Sequence, residues 1–370
     1  MKVLVSFIVW LVFLAVLAGC GDESATTPAR GSEKAVPEKG SAVKPPAKTS
    51  IDPVILASFQ PPLPDAIESP DNPITAEKVA LGKMLYHDKR LSKSQEIACN
   101  SCHLLTKSGV DNQPTSPGHN GQLGTRNSPT VYNAAGHLSQ FWDGRAETVE
   151  EQAKGPVLNP VEMAMPDETY VLQVLNSILQ YVEMFKAAFP GAADPVTYDN
   201  MAKAIGAFER KLVTPSRWDD FLMGNHSALT DAEKQGFNDF VDANCIQCHT
   251  GTYVGGNSYQ KAGNVIPWPN QKDFGRFDVT KKEADKFMFK VPSLRNVEKT
   301  SPYFHDGSVK DLHEAVKMMA YHQTGKQLAA EKIDSIVTFL KSLTGKLPAD
   351  DIAEPTLPPS TEQTPKPDKS

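Results

Sequence analysis

Two five-residue stretches, Cys99-Asn100-Ser101-Cys102-His103 and Cys245-Ile246-Gln247-Cys248-His249, constrain this 370-residue chain more than anything else in it. In a CxxCH stretch the two cysteines lie along one edge of a porphyrin and bond to its vinyl groups, while the following histidine turns its imidazole beneath the iron. Each stretch commits its surroundings to wrapping a flat, largely apolar disc. A zinc knuckle needs four converging ligands, and a redox dithiol accompanies a βαβ pattern; the sequence offers neither. It therefore predicts two covalently bound haem c groups.

The chain has five cysteines, and the two motifs use four. The fifth, Cys20, closes Leu17-Ala18-Gly19-Cys20 after Lys2 and an apolar run from Val3 to Leu17, a signal-peptide pattern too short to read first as a membrane span. Leu-Ala-Gly-Cys resembles the lipobox of bacterial lipoproteins, which makes Cys20 the acylated, membrane-anchored N-terminus; the rival reading is an ordinary signal peptide with an incidental cysteine. Both place the chain outside the cytoplasm, where haem c is attached, so the expected location is periplasmic with a lipid anchor. A net charge of −6 argues against nucleic acid as a partner.

Composition and periodicity divide the chain. Residues 1–20 read as the signal, and 21–51, rich in Ser, Ala, Thr, Pro, Lys and Glu, as a tether that cannot bury a core. Residues 52–215 and 216–346 read as two haem domains in tandem, and 347–370, with six prolines among polar residues, as a disordered tail. Between the ends the period is helical. Val171, Val174, Leu175, Ile178 and Val182 form a stripe within 167–189, and Ile205, Phe208 and Leu212 continue it over 201–213. Thr230-Asp231-Ala232-Glu233 is a capping box opening a helix that leads through Phe237 and Phe240 into the second CxxCH. Strand-type alternation is scarce. The expected fold is all-α, two cytochrome c-like haem domains that repeat an architecture rather than a sequence.

The segments around the motifs carry a resemblance. Leu81-Gly82-Lys83, Arg90-Leu91-Ser92, Gly118-His119, Arg126-Asn127-Ser128-Pro129-Thr130, Phe141-Trp142-Asp143-Gly144-Arg145, Gln152, Gly155-Pro156, Asn159-Pro160, Glu162-Met163, Leu294-Arg295-Asn296 and Pro302-Tyr303-Phe304-His305-Asp306-Gly307 occur in order from about residue 80 to 323. Together with the motifs they resemble the bacterial dihaem cytochrome c peroxidases. The resemblance implies reduction of hydrogen peroxide to water with electrons from a small c-type cytochrome or a blue copper protein. It implies that His103 is the proximal ligand of the peroxidatic haem and that His119 is a distal ligand which leaves on activation; glycines 118, 121 and 124 on a polar loop suit a ligand with little to pin it. It also implies Glu162 and Gln152 as distal polar groups. Of these only the carboxylate can shuttle a proton.

For the second haem the resemblance implies His249 and Met319 as axial ligands. On a helix Leu312, Ala315, Val316 and Met319 share a face from which Met318 is turned by about 100°. His305, His313 and His322 are competing ligands. Trp142 is expected between the haems, and a calcium ion between the domains, at Asn127, Thr300 and Pro302. Family members are commonly homodimers, although nothing in this sequence marks an interface. His87, His137 and His226 are expected to be structural or surface residues. The rival functions are a dihaem electron carrier without peroxidase activity and a related protein-modifying dihaem oxidase, in which tyrosine replaces the methionine of Met319.

Overall fold

The computed structural model describes residues 49–370, so Cys20, the signal and nearly all of the expected tether lie outside the described residues. Among the described residues no helix is long and apolar enough to cross a membrane. The architecture is helical, as the periodicity requires, with two separate cores.

The first core is built on α1 (Ala76–His87), α2 (Val149–Leu158), α3 (Glu168–Asn176), α4 (Leu179–Ala188) and α5 (Tyr198–Glu209). Thr75, Thr148, Asp167 and Thr197 cap four of these by accepting a main-chain N–H in the first turn. Helices α1 and α5 cross closely at Gly82, where a Cβ would stand 1.9 Å from the Ala204 oxygen. Leu81, Leu85, Tyr86, Ile205 and Phe208 fill the space beside this crossing.

The stripe expected over 167–189 is present, but in two helices. The Ser177 hydroxyl donates to the Val174 oxygen at 2.6 Å, and the chain turns out of helix at Ile178 before α4 resumes. Val171, Val174, Leu175 and Ile178 are buried all the same, joined by Tyr181 and Phe185.

The second core uses α6 (Arg217–Leu222), α7 (Asp231–Asp242), α8 (Leu312–Thr324) and α9 (Ala330–Ser342). The expected capping box is complete: Glu233 N donates to Thr230 Oγ1 and Thr230 N to Glu233 Oε2. Gly236 lets α7 meet α9, a Cβ there falling 2.1 Å from the Ser335 oxygen, so each half turns on one glycine-mediated helix crossing. Around it Trp218, Phe237, Phe339 and Phe59 pack edge to face or tilted, with centroids 5.1 to 5.5 Å apart. A two-stranded antiparallel ribbon, β1 (Tyr259–Lys261) with β2 (Met288–Lys290), is the only named sheet among the described residues.

The two ends of the described chain are exchanged between the cores. Ile51, Ile55, Leu56 and Phe59 pack into the second core, although the sequence reading places Ile51 in the tether and the other three in the first haem domain. Leu347 and Ile352 pack on the first. The tail expected to be disordered is laid over the first half as an extended strap, held by hydrogen bonds from Thr361 to Ser177, Gln95 to Pro365 and Asp368 to Lys93. Its anchors are hydroxyl and main-chain groups, which composition does not weigh. The chain passes between the halves at Thr214, fully buried and bonded by Asn133 and Asn296, so the join is a packed seam.

Candidate functional site

Both CxxCH stretches fold the same way. Cys99–Cys102 is one helical turn and Cys245–Gln247 one 3-10 turn, and in each the histidine N–H donates to the first cysteine's oxygen at 3.0 Å. Tyr86 donates to the His103 oxygen at 2.7 Å, tying the first turn to α1. None of the four motif cysteines is paired in a disulfide, which leaves each sulfur available for a thioether. The imidazoles are turned alike: His103 Nδ1 lies 2.9 Å from the Pro129 oxygen and His249 Nδ1 3.4 Å from the Val254 oxygen. A carbonyl at Nδ1 fixes the tautomer and leaves Nε2 to a metal. The residues therefore fit haem c. Among the described residues no group of three or more His, Cys, Asp or Glu is gathered as a metal site.

Beside the first motif lies an open cavity of about 520 Å³, lined by Phe141, Arg145, Ala146, Glu147, Glu151, Gly155, Pro156, Asn159 and Glu162. That volume suits a small-molecule site. Glu162 stands at its wall, close enough for its charge to raise both Cys99 and Cys102. Burial raises the Glu162 carboxyl above its usual range, against the opposing pull of Arg145 and of Asn159, whose Nδ2 donates to Oε1 at 2.8 Å. Arg145 is braced against the Phe141 ring, 3.5 Å from its centroid, and by Asp143 at 3.0 Å. The cavity thus combines three carboxylates, Glu147, Glu151 and Glu162, with the Arg145 cation and the Asn159 amide on a partly apolar wall.

The other expected residues divide. Gln152 is half-buried on α2 and is not among the residues lining this cavity. His119 is buried, not loosely held: its N–H donates to the Glu162 oxygen at 2.8 Å and Nε2 lies 3.0 Å from the Ser370 oxygen, while Nδ1 has no partner. Gly118 makes this pinning possible, since a Cβ there would fall 2.0 Å from the Val161 oxygen. Glycines 121 and 124 face open space as a mobile loop requires. Trp142 donates to the Asn127 oxygen at 2.9 Å and meets the His305 ring edge to face, and Asn127 N donates to the His305 oxygen. The tryptophan is thus bound where the two halves meet.

In the second half Met319 is half-buried on α8, while Leu312, Val316 and Ala315 on the same face pack inward. The competing histidines have other neighbours. His313 is exposed beside Asp311 and Asp334, His322 lies against the Ile266 oxygen and Trp268, and His305 stacks on Phe289 at 4.2 Å. His87 is buried against the Lys83 oxygen, His137 packs on Tyr253 and His226 is exposed on Phe221, as structural and surface roles require.

Residues 76–227 match the family model for di-haem cytochrome c peroxidases. The chain is 47% identical to cytochrome c551 peroxidase of Pseudomonas aeruginosa over 315 residues, covering 83% of this chain and 89% of that one. The chain belongs to the di-haem cytochrome c peroxidase family. Cytochrome c551 peroxidase of Nitrosomonas europaea is also 47% identical, over 84% of this chain and 92% of its own. Among solved structures a MauG-like protein associated with microbial copper homeostasis aligns with a TM-score of 0.69 and 28% identity, over 80% of this chain and 96% of its own. Family membership carries the two haem c groups with it.

Three contributors had no chemistry assigned from sequence. Arg145 and Asn159 were visible only as parts of the family motifs, because a charge in a turn reads as a solvated group until the cavity wall is seen. Arg295, on a loop, makes a fully buried bidentate pair with Asp219, both bonds at 2.8 Å.

Proposed function

We infer that this chain is a cytochrome c peroxidase, reducing one hydrogen peroxide to two waters with two protons and two electrons taken from a small reduced cytochrome. The observation that carries the reading is the carboxylate of Glu162 in a cavity beside the first CxxCH turn, facing Arg145 and Asn159. Cys99, Cys102 and His103 would hold one haem, and Cys245, Cys248, His249 and Met319 the other. The haems supply one-electron redox equivalents, and the first supplies the iron at which the O–O bond is cleaved.

Glu162 does the proton work. Its raised pKa suits it to accept the proton of the oxygen nearer the iron and return it to the departing oxygen, which leaves as water. Asn159 fixes one carboxylate oxygen and leaves the other toward the cavity. Arg145 supplies positive charge where the departing oxygen becomes negative. His119 would be a displaceable ligand of the first haem, and Gln152 stands outside the cavity wall as a secondary polar group. Met319 keeps the second haem at a higher potential than a second histidine would, fitting it to receive and store an electron. Trp142, bonded across the seam, couples the two.

Calcium between the halves fits the free oxygens there. Asn127 Oδ1 and the main-chain oxygens of Thr300 and Pro302 accept no hydrogen bond among the described residues, as hard-cation ligands should not. The same proposal extends to a periplasmic location and a lipid anchor at Cys20, on the signal and lipobox pattern, and to a homodimer, on the resemblance alone. The deciding experiment is peroxide-dependent oxidation of a reduced small c-type cytochrome, with and without pre-reduction of the enzyme. Turnover is expected; none in either condition would leave an electron carrier as the better account.

A further inference from the structure

The strap formed by the last ten residues ends on the residue that the peroxidase reading makes displaceable. Thr361 Oγ1 donates to the Ser177 oxygen at 2.9 Å, the carbonyl freed by the break between α3 and α4, and Thr364 Oγ1 lies 2.9 Å from Ser177 Oγ. Thr364 is buried, so the strap has a fixed root. Farther on, Gln95 Nε2 donates to the Pro365 oxygen, Asp368 N donates to the Lys93 oxygen, and Lys369 pairs with Glu96. At its tip the Ser370 oxygen receives Lys93 Nζ at 2.9 Å and faces His119 Nε2 at 3.0 Å.

Lys93 joins three segments. Its N–H donates to the Met163 oxygen at 2.8 Å, its own oxygen accepts from the strap, and its ammonium holds the strap's tip. His119 N donates to the neighbouring Glu162 oxygen. The loop carrying Glu162 is therefore pinned by Lys93 on one side and His119 on the other, and the Ser370 oxygen closes the ring.

We infer that residues 361–370 form a latch for His119, with Lys93 as the positioning residue: the Ser370 oxygen takes the imidazole when it is off the iron and so keeps the peroxide site open. The inference rests on the peroxidase reading, in which His119 leaves the first haem. The chemistry is exclusive. Nε2 has two neighbours, the Ser370 oxygen at 3.0 Å and the Asn120 Nδ2 at 3.2 Å; to donate to the oxygen it must carry the ring proton, and it then has no lone pair for either the Asn120 amide or a metal. Moving from the latch to the iron through Nε2 transfers that proton to Nδ1, with no net gain or loss. In the latched arrangement Nδ1 is buried and unpartnered, a cost that keeps the latch from being deep. The latched and ligated forms are then close enough in free energy for the reduction of a distant haem to tip the balance.

The test uses the full-length, two-haem enzyme. Lys93→Met removes the ammonium while keeping the stem, Lys93→Arg restores the charge, and a variant ending at Ser360 removes the strap. Each is poised with only the second haem reduced. The low-spin fraction of the first haem is then read by electron paramagnetic resonance, and its cyanide affinity by absorbance. Lys93→Met and the truncation are expected to raise the low-spin fraction and weaken cyanide binding about tenfold, the scale of one lost charge-assisted hydrogen bond, with Lys93→Arg recovering most of it. In a His119→Gly background the same changes should have no effect. Unaltered affinity in Lys93→Met, with or without a folded truncation, overturns the latch; so does an equal loss in the His119→Gly background, which would mean a merely structural strap. If His119→Gly alone changes neither spin state nor cyanide binding, the displaceable-ligand reading fails and takes the latch with it.

Discussion

The two CxxCH turns are locally alike and globally different. Around Cys99–His103 the functional groups arrive on loops: Glu162, Asn159, Arg145 and His119 come from segments with left-handed residues at Asn120, Phe141 and Ala164. Around Cys245–His249 the neighbours are helices α7, α8 and α9 and an aromatic core, and Met319 comes from within a helix. A loop-built site can exchange ligands and admit substrate. A helix-built site holds its ligand and changes only its charge. The comparison supports the proposal that the first turn carries the chemistry and the second stores an electron, although the pentapeptides cannot be told apart.

The strongest way to break that assignment is Glu162→Gln, which keeps the shape and the hydrogen bond from Asn159 but cannot accept a proton. Turnover is expected to fall about 10²- to 10⁴-fold, the usual worth of a positioned acid–base group. Haem content and the spectrum of the second haem should be unchanged. Near-normal turnover under saturating peroxide would remove Glu162, and with it the distinction between the two turns.

The next effect is on stability, and it belongs to the second half. Asp219 and Arg295 are almost fully buried, and each carboxylate oxygen takes one guanidinium bond. Burial alone would raise Asp219, but the bonds from Arg295 and the amides of Leu63 and Ser216 outweigh it and hold the carboxyl below its usual range. Asp219→Asn leaves a buried cation uncompensated and should cost about 3–5 kcal/mol, read as a lower denaturation midpoint. Since the folded-state value is depressed, this contribution is fully present above about pH 4 and disappears as the pH falls through the lower folded-state value. The variant's deficit should accordingly shrink toward acid pH. A constant deficit would show that the ion pair is not its source.

Much of this was legible in advance, and the reasons are physical. The CxxCH turns, the Thr230 capping box and the stripe from Val171 to Ile178 are local, set by residues within a turn or two of one another. The strap was misread because its composition excludes a core of its own but says nothing about docking on another. The Thr361 hydroxyl finds a carbonyl exposed by a helix break at Ser177, 184 residues away, and the Thr364 hydroxyl meets the Ser177 hydroxyl. Ile51 to Phe59 crossed to the second core for a similar reason, since an apolar residue's partner is not written beside it. Arg145 and Asn159 gain meaning only from the cavity that they share with Glu162.

Met319 sharpens the comparison from the other side. Met319→His should leave both haems attached and abolish any sulfur-to-iron charge-transfer band of the oxidised protein. It should lower the second haem's potential by on the order of 0.1 V, within the roughly 0.8 V that axial ligation spans. The first haem's spectrum should not move. A shift at the first haem instead would mean that the methionine serves the wrong half for the division drawn above.

The smallest effect tests how finely the loop-built site is tuned. Glu162 is raised chiefly by burial, and the charge of Arg145 and the Asn159 hydrogen bond bring it part of the way down. Asn159→Ala removes that bond, so the carboxyl should rise further. As proton acceptor Glu162 must be ionised, and turnover falls as the pH drops through its pKa. The acid limb of the profile should therefore move to higher pH, with little change at the plateau. Adding Arg145→Met should move it again in the same direction. If instead the limb stays fixed while the plateau falls, Asn159 shapes the loop rather than the carboxylate, and the 2.8 Å bond is structural.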